Sequence, residues 1–256
     1  MKGTGVIIQS VDRALQIIDF FTGPQAELGI TEIAERIGLG KSTVYGLVNT
    51  LLKSGYLEQN PENKRYRLGL RLFELGSIVQ SRMDVREIAR PYLEALSKRF
   101  NMTVHMGIYR DWEMVYIDKV DSPNTRIVYS QVGKRAPMYC TGIGKAVLAN
   151  MKPADIQYIL NRQPLEPLTV HTLIKQEELL EELDKVRMNG YAVDNEEVEL
   201  GLRCVAVPVY DYRKKPVAAV SISCAAAYLD EAKILEAAAA LRETAGEISK
   251  KLGYCI

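Results

Sequence analysis

With 256 residues, 47% hydrophobic and 25% charged, the chain has the composition of a folded soluble protein with material for two hydrophobic cores, which excludes disordered and fibrous classes. Its 33 basic and 32 acidic side chains leave a net charge of +1, so no global field points to a polyanionic partner. The uncharged stretch 216–229 is too short for a membrane span, and residues 6–8 meet Asp12 and Arg13 too soon for a signal peptide, so a cytoplasmic protein without membrane contact is expected. Cys140, Cys204, Cys224 and Cys255 lie far apart with only His105 and His171 to join them, which argues against a disulfide scaffold, a metal site or a bound cofactor.

Ser10 can cap a first helix whose Ala14, Leu15, Ile18 and Phe21 recur at helical spacing before Gly23 and Pro24 stop it. Thr31 can cap a second, short helix carrying Ile33, Ala34 and Ile37, after which Gly38, Leu39 and Gly40 make a tight turn. Beyond it Val44, Leu47, Val48, Leu51 and Leu52 form the stripe of an amphipathic helix that stops at Gly55. Two helices joined by such a turn predict a helix-turn-helix.

The third helix turns Ser42, Thr43, Gly46, Asn49, Thr50 and Lys53 away from its stripe, with Lys41 and Tyr45 at the margins. Short polar side chains of this kind reach base edges and phosphates. Residues 56–59 and 65–68 can then pair as a hairpin whose rim carries Lys64, Arg65 and Arg67. Residues 36–71 hold seven basic and two acidic side chains, a net +5, whereas residues 1–35 carry −3. A winged helix-turn-helix that contacts double-stranded DNA through Lys41, Ser42, Thr43, Tyr45, Asn49, Lys64, Arg65 and Arg67 is therefore expected. The alternative for the same pattern is a protein-interaction module whose cations only solubilise. Gly46 is the odd residue, because a glycine inside an exposed helix costs about 1 kcal/mol relative to alanine. Either the backbone approaches DNA closely there or a base contact has been lost.

Residues 69–80 have a helical pattern and read as a linker, followed by a helix over 84–100 in which Pro91 marks a kink or break. From Met102 the apolar period becomes two. Strands are expected over 103–109, 114–120, 126–131, 192–194, 204–210 and 217–224, interleaved with helices near 144–150, 154–160, 176–189 and 230–252. Three segments carry chemistry. Thr141, Gly142, Ile143 and Gly144 open a helix whose first N–H groups can take a carboxylate, although Tyr139 and Ala146 rule out a nucleotide P-loop. Asp194 and Cys204 place an acceptor and a small thiol at strand boundaries, and Ser221 and Ser223 share one strand face, which suggests a polar cavity. A thiol hydrolase using Cys204 is an alternative, but neither histidine has recognisable motif context as its base, and no catalytic residue is assigned.

The segments ITEIAERIGLGKSTVYGLVNTL, GKRAPMYCTGIGKAVLA, DNEEVELGLRCVAVPV and AAVSIS resemble the IclR family of bacterial transcriptional regulators, over essentially the whole chain. The resemblance implies an α+β protein: a winged helix-turn-helix DNA-binding domain over residues 1–69, a linker helix over 70–83, and a GAF-like α/β effector-binding domain over 84–256. It also implies a homodimer or tetramer on a palindromic operator, answering a small carboxylate effector of the hydroxy, keto or sugar acid type. The implied effector residues are Gly142, Ile143, Asp194, Cys204, Ser221 and Ser223, with Thr141 at the helix start. The stretch IYRDWEMVYIDKVDS followed by YSQVGKRAP is similar to regulators answering 2-keto-3-deoxygluconate and related sugar acids. An ionised Asp194 would repel a plain carboxylate, so an acid with donor groups is expected. Where the family commonly has arginine this chain has Gly46, and that contact is not carried over.

Overall fold

In the computed structural model, which describes residues 6–22, 27–81, 84–122 and 130–254, the chain forms two units, Met1–Met83 and Asp84–Ile256. The first unit holds α1 (Gln9–Asp19), α2 (Ile30–Ile37), α3 (Lys41–Lys53), a hairpin of β1 (Leu57–Gln59) and β2 (Tyr66–Leu68), and α4 (Leu70–Ser81). Ile17, Leu28, Ile33, Val44, Val48 and Leu57 close a single core from all of the early elements. Leu28 also exchanges two backbone hydrogen bonds with Tyr66, which seats the hairpin on the segment before α2.

Two expected caps differ. Helix α1 starts two residues early, after Ile8 and without a side-chain cap, so Ser10 lies inside its first turn. Helix α2 starts at Ile30 after Gly29, and Thr31 is internal; Glu32 reaches back instead, its carboxylate accepting the Gly29 N–H at 2.7 Å. Glycine has no side chain to complete a reciprocal cap, so the acid carries this helix start alone.

The second unit holds α5 (Asp84–Phe100), β3 (Thr103–Arg110), β4 (Glu113–Val120), β5 (Arg135–Ala136), α6 (Gly142–Leu148), α7 (Pro153–Leu160), α8 (Gln176–Asn189), β6 (Ala192–Asn195), β7 (Leu202–Tyr210), β8 (Pro216–Ala225) and α9 (Glu231–Lys251). The six strands form an antiparallel sheet in the order β5-β4-β3-β8-β7-β6. Pro91 does not break α5, because Ala89, Leu93, Leu96 and Phe100 bury one continuous stripe on either side of it. Of the strand expected over 126–131, residues 126–129 lie outside the described residues, and Ser130 and Gln131 are not in a strand. No helix among the described residues is long and apolar enough to cross a membrane.

Alternation divides the sheet chemically. Val104, Met106, Val205, Val207, Val220 and Ile222 pair across neighbouring strands and form one apolar face, the side served by α5 and α9. The opposite register rows bring His105 beside Ser221 and Cys204 between Asp194 and Ser223, under α6. Helix α6 begins on a turn so tight that glycine is needed, and its Ile143 packs closely on β3. A Cβ on Gly144 would lie 2.5 Å from the Met138 carbonyl oxygen and 2.6 Å from Thr141 Oγ1, and one on Gly107 of β3 would lie 2.7 Å from Ile143 Cδ1.

Gly144→Ala is accordingly expected to destabilise the chain by about 1–3 kcal/mol through overpacking against backbone. Urea unfolding checks this, and an unchanged midpoint and slope would show that the turn before α6 opens without cost.

Candidate functional site

Val44, Val48 and Leu51 anchor α3 in the first core and leave Lys41, Ser42, Thr43, Tyr45, Gly46 and Thr50 exposed, with Asn49 half-buried. Thr50 is folded back, its hydroxyl donating to the Gly46 carbonyl at 2.9 Å. The cations of this basic region divide into two groups. Arg65 donates to the Glu32 carboxylate at 2.7 Å and to the Glu27 carbonyl at 3.0 Å. Arg67 pairs with Glu58 at 3.2 Å, and Glu58 also accepts the Leu70 N–H at the head of α4. Arg71 pairs with Glu74. Arg65 and Arg67, both expected to contact DNA, thus stay partly exposed while making ion pairs within the unit. Lys41, Lys53 and Lys64 have no ion pair among the described residues, and they stand at the two ends of α3 and at the hairpin tip. Gly46 is not demanded by packing, since a Cβ there would meet nothing within 4 Å.

In the second unit Thr141, Gly142, Ile143, Asp194, Cys204, Ser221 and Ser223 all converge on one cavity. His105, Tyr116, Ser130, Val198 and Leu202 complete its wall. Thr141 caps α6, accepting the Gly144 N–H at 3.1 Å and donating to the Pro137 carbonyl at 2.6 Å. That leaves the Gly142 and Ile143 N–H groups ahead of the first intrahelical acceptor, and Gly142 itself packs against Asp194, Cys204 and Ala206 of β6 and β7. The remaining space is about 20 Å³, room for about one water molecule.

The electrostatics follow from burial. Asp194, 2% exposed, accepts the Glu197 N–H at 2.9 Å, yet desolvation raises its pKa to about 7, with the Glu197 carboxylate adding to the rise. Ionised Asp194 is therefore not the fixed repulsive charge expected from the sequence; near neutrality its carboxyl also exists as a donor. Burial, then Asp194, pushes the Cys204 thiol well above its ordinary range. Burial, then the Lys119 charge, lowers His105 to about 3 and keeps the ring neutral. Neither group is in the state that a thiol hydrolase needs. Among the described residues no three His, Cys, Asp or Glu side chains converge as metal ligands.

Behind the cavity Lys145, 1% exposed, forms a buried hydrogen-bonded pair with Glu197. Glu197 Oε2 is left without a partner, and burial raises the acid's pKa despite the lysine. Thr169 and Thr172 hold the same loop by donating to the Glu196 and Glu197 carbonyls at 2.6 and 2.7 Å. His105, Ser130, Lys145 and Glu197 were not among the expected site residues. The one available signal was Lys145 itself, a lone cation inside the apolar run Ile143 to Leu148.

Comparison with known proteins agrees over both units. Residues 10–61 match the IclR helix-turn-helix domain, and residues 78–250 match the C-terminal domain of bacterial transcriptional regulator IclR. The chain is 41% identical over 248 residues to the HTH-type transcriptional regulator XynR of Escherichia coli K12, covering 97% of this chain and 98% of XynR. It is 40% identical over 232 residues to the HTH-type transcriptional regulator KdgR of Dickeya chrysanthemi, covering 91% of this chain and 76% of KdgR. The crystal structure of the Thermotoga maritima IclR aligns over 97% of this chain and 100% of that one, with a TM-score of 0.78 and 38% identity.

Removing one partner of a buried pair strands the other charge. Lys145→Met is therefore expected to cost about 3–5 kcal/mol, and adding Glu197→Met to recover most of it. Denaturant unfolding of both variants tests this, and a single variant as stable as the parent would contradict it.

Proposed function

The chain belongs to the IclR family of bacterial transcriptional regulators and is a DNA-binding regulator of transcription; we propose that its operator affinity is set by a hydroxylated organic acid held in the cavity under α6. Residues 1–69 act as the DNA-binding part, 70–83 as a linker and 84–256 as the effector-binding part, in the cytoplasm. The observation that carries this reading is the convergence of helix-start N–H groups, a carboxyl near neutrality and buried serine hydroxyls on one enclosed space.

On the DNA side, Ser42, Thr43, Tyr45 and Asn49 read the major groove, while Lys41, Lys53 and Lys64 meet phosphates as point charges. Arg65 and Arg67 position the wing and the start of α4 rather than reach for DNA. The first unit also exposes Val11 and Leu15 on α1 and Leu70 and Phe73 on α4, apolar side chains suited to a second copy of the chain. A homo-oligomer on a palindromic operator follows.

On the effector side, the acid's carboxylate takes the Gly142 and Ile143 N–H groups and shares a proton with the neighbouring Asp194, while its hydroxyls meet Ser221 and Ser223. A six-carbon acid does not fit the space left in the described form, so it selects a wider, less populated one, and its apparent affinity is reduced by that population. The same differential affinity shifts the chain between states of high and low operator affinity.

Two outcomes test the reading. Lys64→Ala should weaken operator binding alike across sequences and reduce the salt slope by about one, whereas Thr43→Ala should relax base preference with the slope unchanged. Fluorescence anisotropy on matched and mismatched duplexes distinguishes them, and identical behaviour of the two variants would oppose this division. Because the bound carboxylate needs Asp194 protonated, and its pKa is about 7, the acid should bind about tenfold more weakly at pH 8 than at pH 6. Calorimetry on the parent and on Asp194→Asn checks the sign: the variant should lose this slope yet bind the operator normally, and a flat profile in the parent would refute the shared proton.

A further inference from the structure

His105 is 2% exposed on β3, directly across from Ser221 of β8, with its ring 5.4 Å from Tyr116. Nε2 lies 2.5 Å from Ser130 Oγ, and Nδ1 lies 3.4 Å from Ser223 Oγ. Ser221, 3% exposed, lines the cavity beside this chain, and its hydroxyl has no hydrogen-bond partner among the described residues. A hydroxyl that lines the cavity without a protein partner, next to a buried imidazole and two more hydroxyls, marks a place where a ligand can supply hydrogen bonds.

The two ends of the cavity are chemically unlike. Asp194 on β6 and His105 on β3 are three strand spacings apart, about 14 Å between backbones. The Asp194 end has the helix-start N–H groups. At the His105 end the nearest cation, Lys119 across from it on β4, is paired with Asp121 at 2.9 Å, and burial keeps the ring neutral, with one N–H donor and one acceptor nitrogen. Serine hydroxyls both donate and accept, so the run Ser130, His105, Ser223 can reverse direction by exchanging the ring tautomer. A carboxylate only accepts, and the Lys119 cation beside His105 is already compensated by Asp121. A ligand hydroxyl, by contrast, can complete the run in either direction.

We propose that His105 is a specificity-determining residue, a buried imidazole that reads effector hydroxyls at the end of the cavity opposite the α6 carboxylate site and so restricts the effector to polyhydroxylated acids. The inference rests on the cavity being the effector site, as proposed above. An acid with bare methylenes at this end leaves the Ser221 hydroxyl unsatisfied and adds nothing to the long 3.4 Å contact at Nδ1, which costs about tenfold in affinity for each unmade bond.

The test uses the full chain in calorimetry with a panel of five- and six-carbon aldonates and 2-keto-3-deoxyaldonates, and with hexanoate, which has the carboxylate and carbon chain but no hydroxyls. The tightest panel acid should bind the parent at least about 100-fold better than hexanoate. His105→Phe should lose about 10- to 100-fold toward that acid with hexanoate unchanged, and His105→Gln, which keeps a donor and an acceptor, should recover part of the loss. Ser130→Ala serves if the phenylalanine variant does not fold, and should lower the same ratio by freeing Nε2. A parent that discriminates while the variants keep its full ratio, or lose both acids equally, overturns the role of His105. A parent that binds no acid of the panel overturns the effector reading itself.

Discussion

The close approach of α6 to the sheet is the constraint from which the cavity follows. Glycine at Gly142 and Gly107 lets α6 and its Ile143 side chain settle on β7 and β3, while glycine at Gly144 lets the helix close on its own preceding turn at Met138 and Thr141. The buried Lys145–Glu197 pair then holds the 194–201 loop beneath the helix. Once that loop is in place, Asp194 is dry, its carboxyl is pushed to about 7, and it lies beside Gly142 at the start of α6. Such a pair contributes little net stability over an apolar replacement; what it supplies is a fixed position for a titratable group beside the start of α6.

The first unit uses its basic residues in two ways, and side-chain chemistry sorts them. The planar, forked guanidinium groups of Arg65, Arg67 and Arg71 are the ones tied to carboxylates within the unit, where directional hydrogen bonds fix the wing and the head of α4. The lysines are left for long-range attraction, which needs charge more than geometry. The local excess of +5 therefore overstates the charge that DNA meets, although its location on the chain is informative.

The helix-turn-helix was legible because its spacing is local: Val44, Leu47, Val48, Leu51 and Leu52 define a helix and its hidden side without reference to the rest of the chain. The serine pair on β8 was legible for the same reason, since alternation along one strand puts Ser221 and Ser223 together. His105 was not, because a lone histidine in a strand gains meaning only when β3 pairs with β8 and Ser130 arrives from a loop. The two-residue strand β5 is too short to show a period, and the cap at α2 was misplaced because an acid three residues on replaced the expected threonine. The fates of Arg65 and Arg67 depended on partners up to 38 positions away.

The central claim is that the response to an acid passes through the space under α6. Hydrogen–deuterium exchange of the full chain, with and without the acid that alters operator binding, tests it most directly. The account predicts slowed exchange over residues 138–145, 192–204 and 219–224 on adding the acid. An acid that changes operator affinity while leaving exchange in all three segments untouched would contradict it.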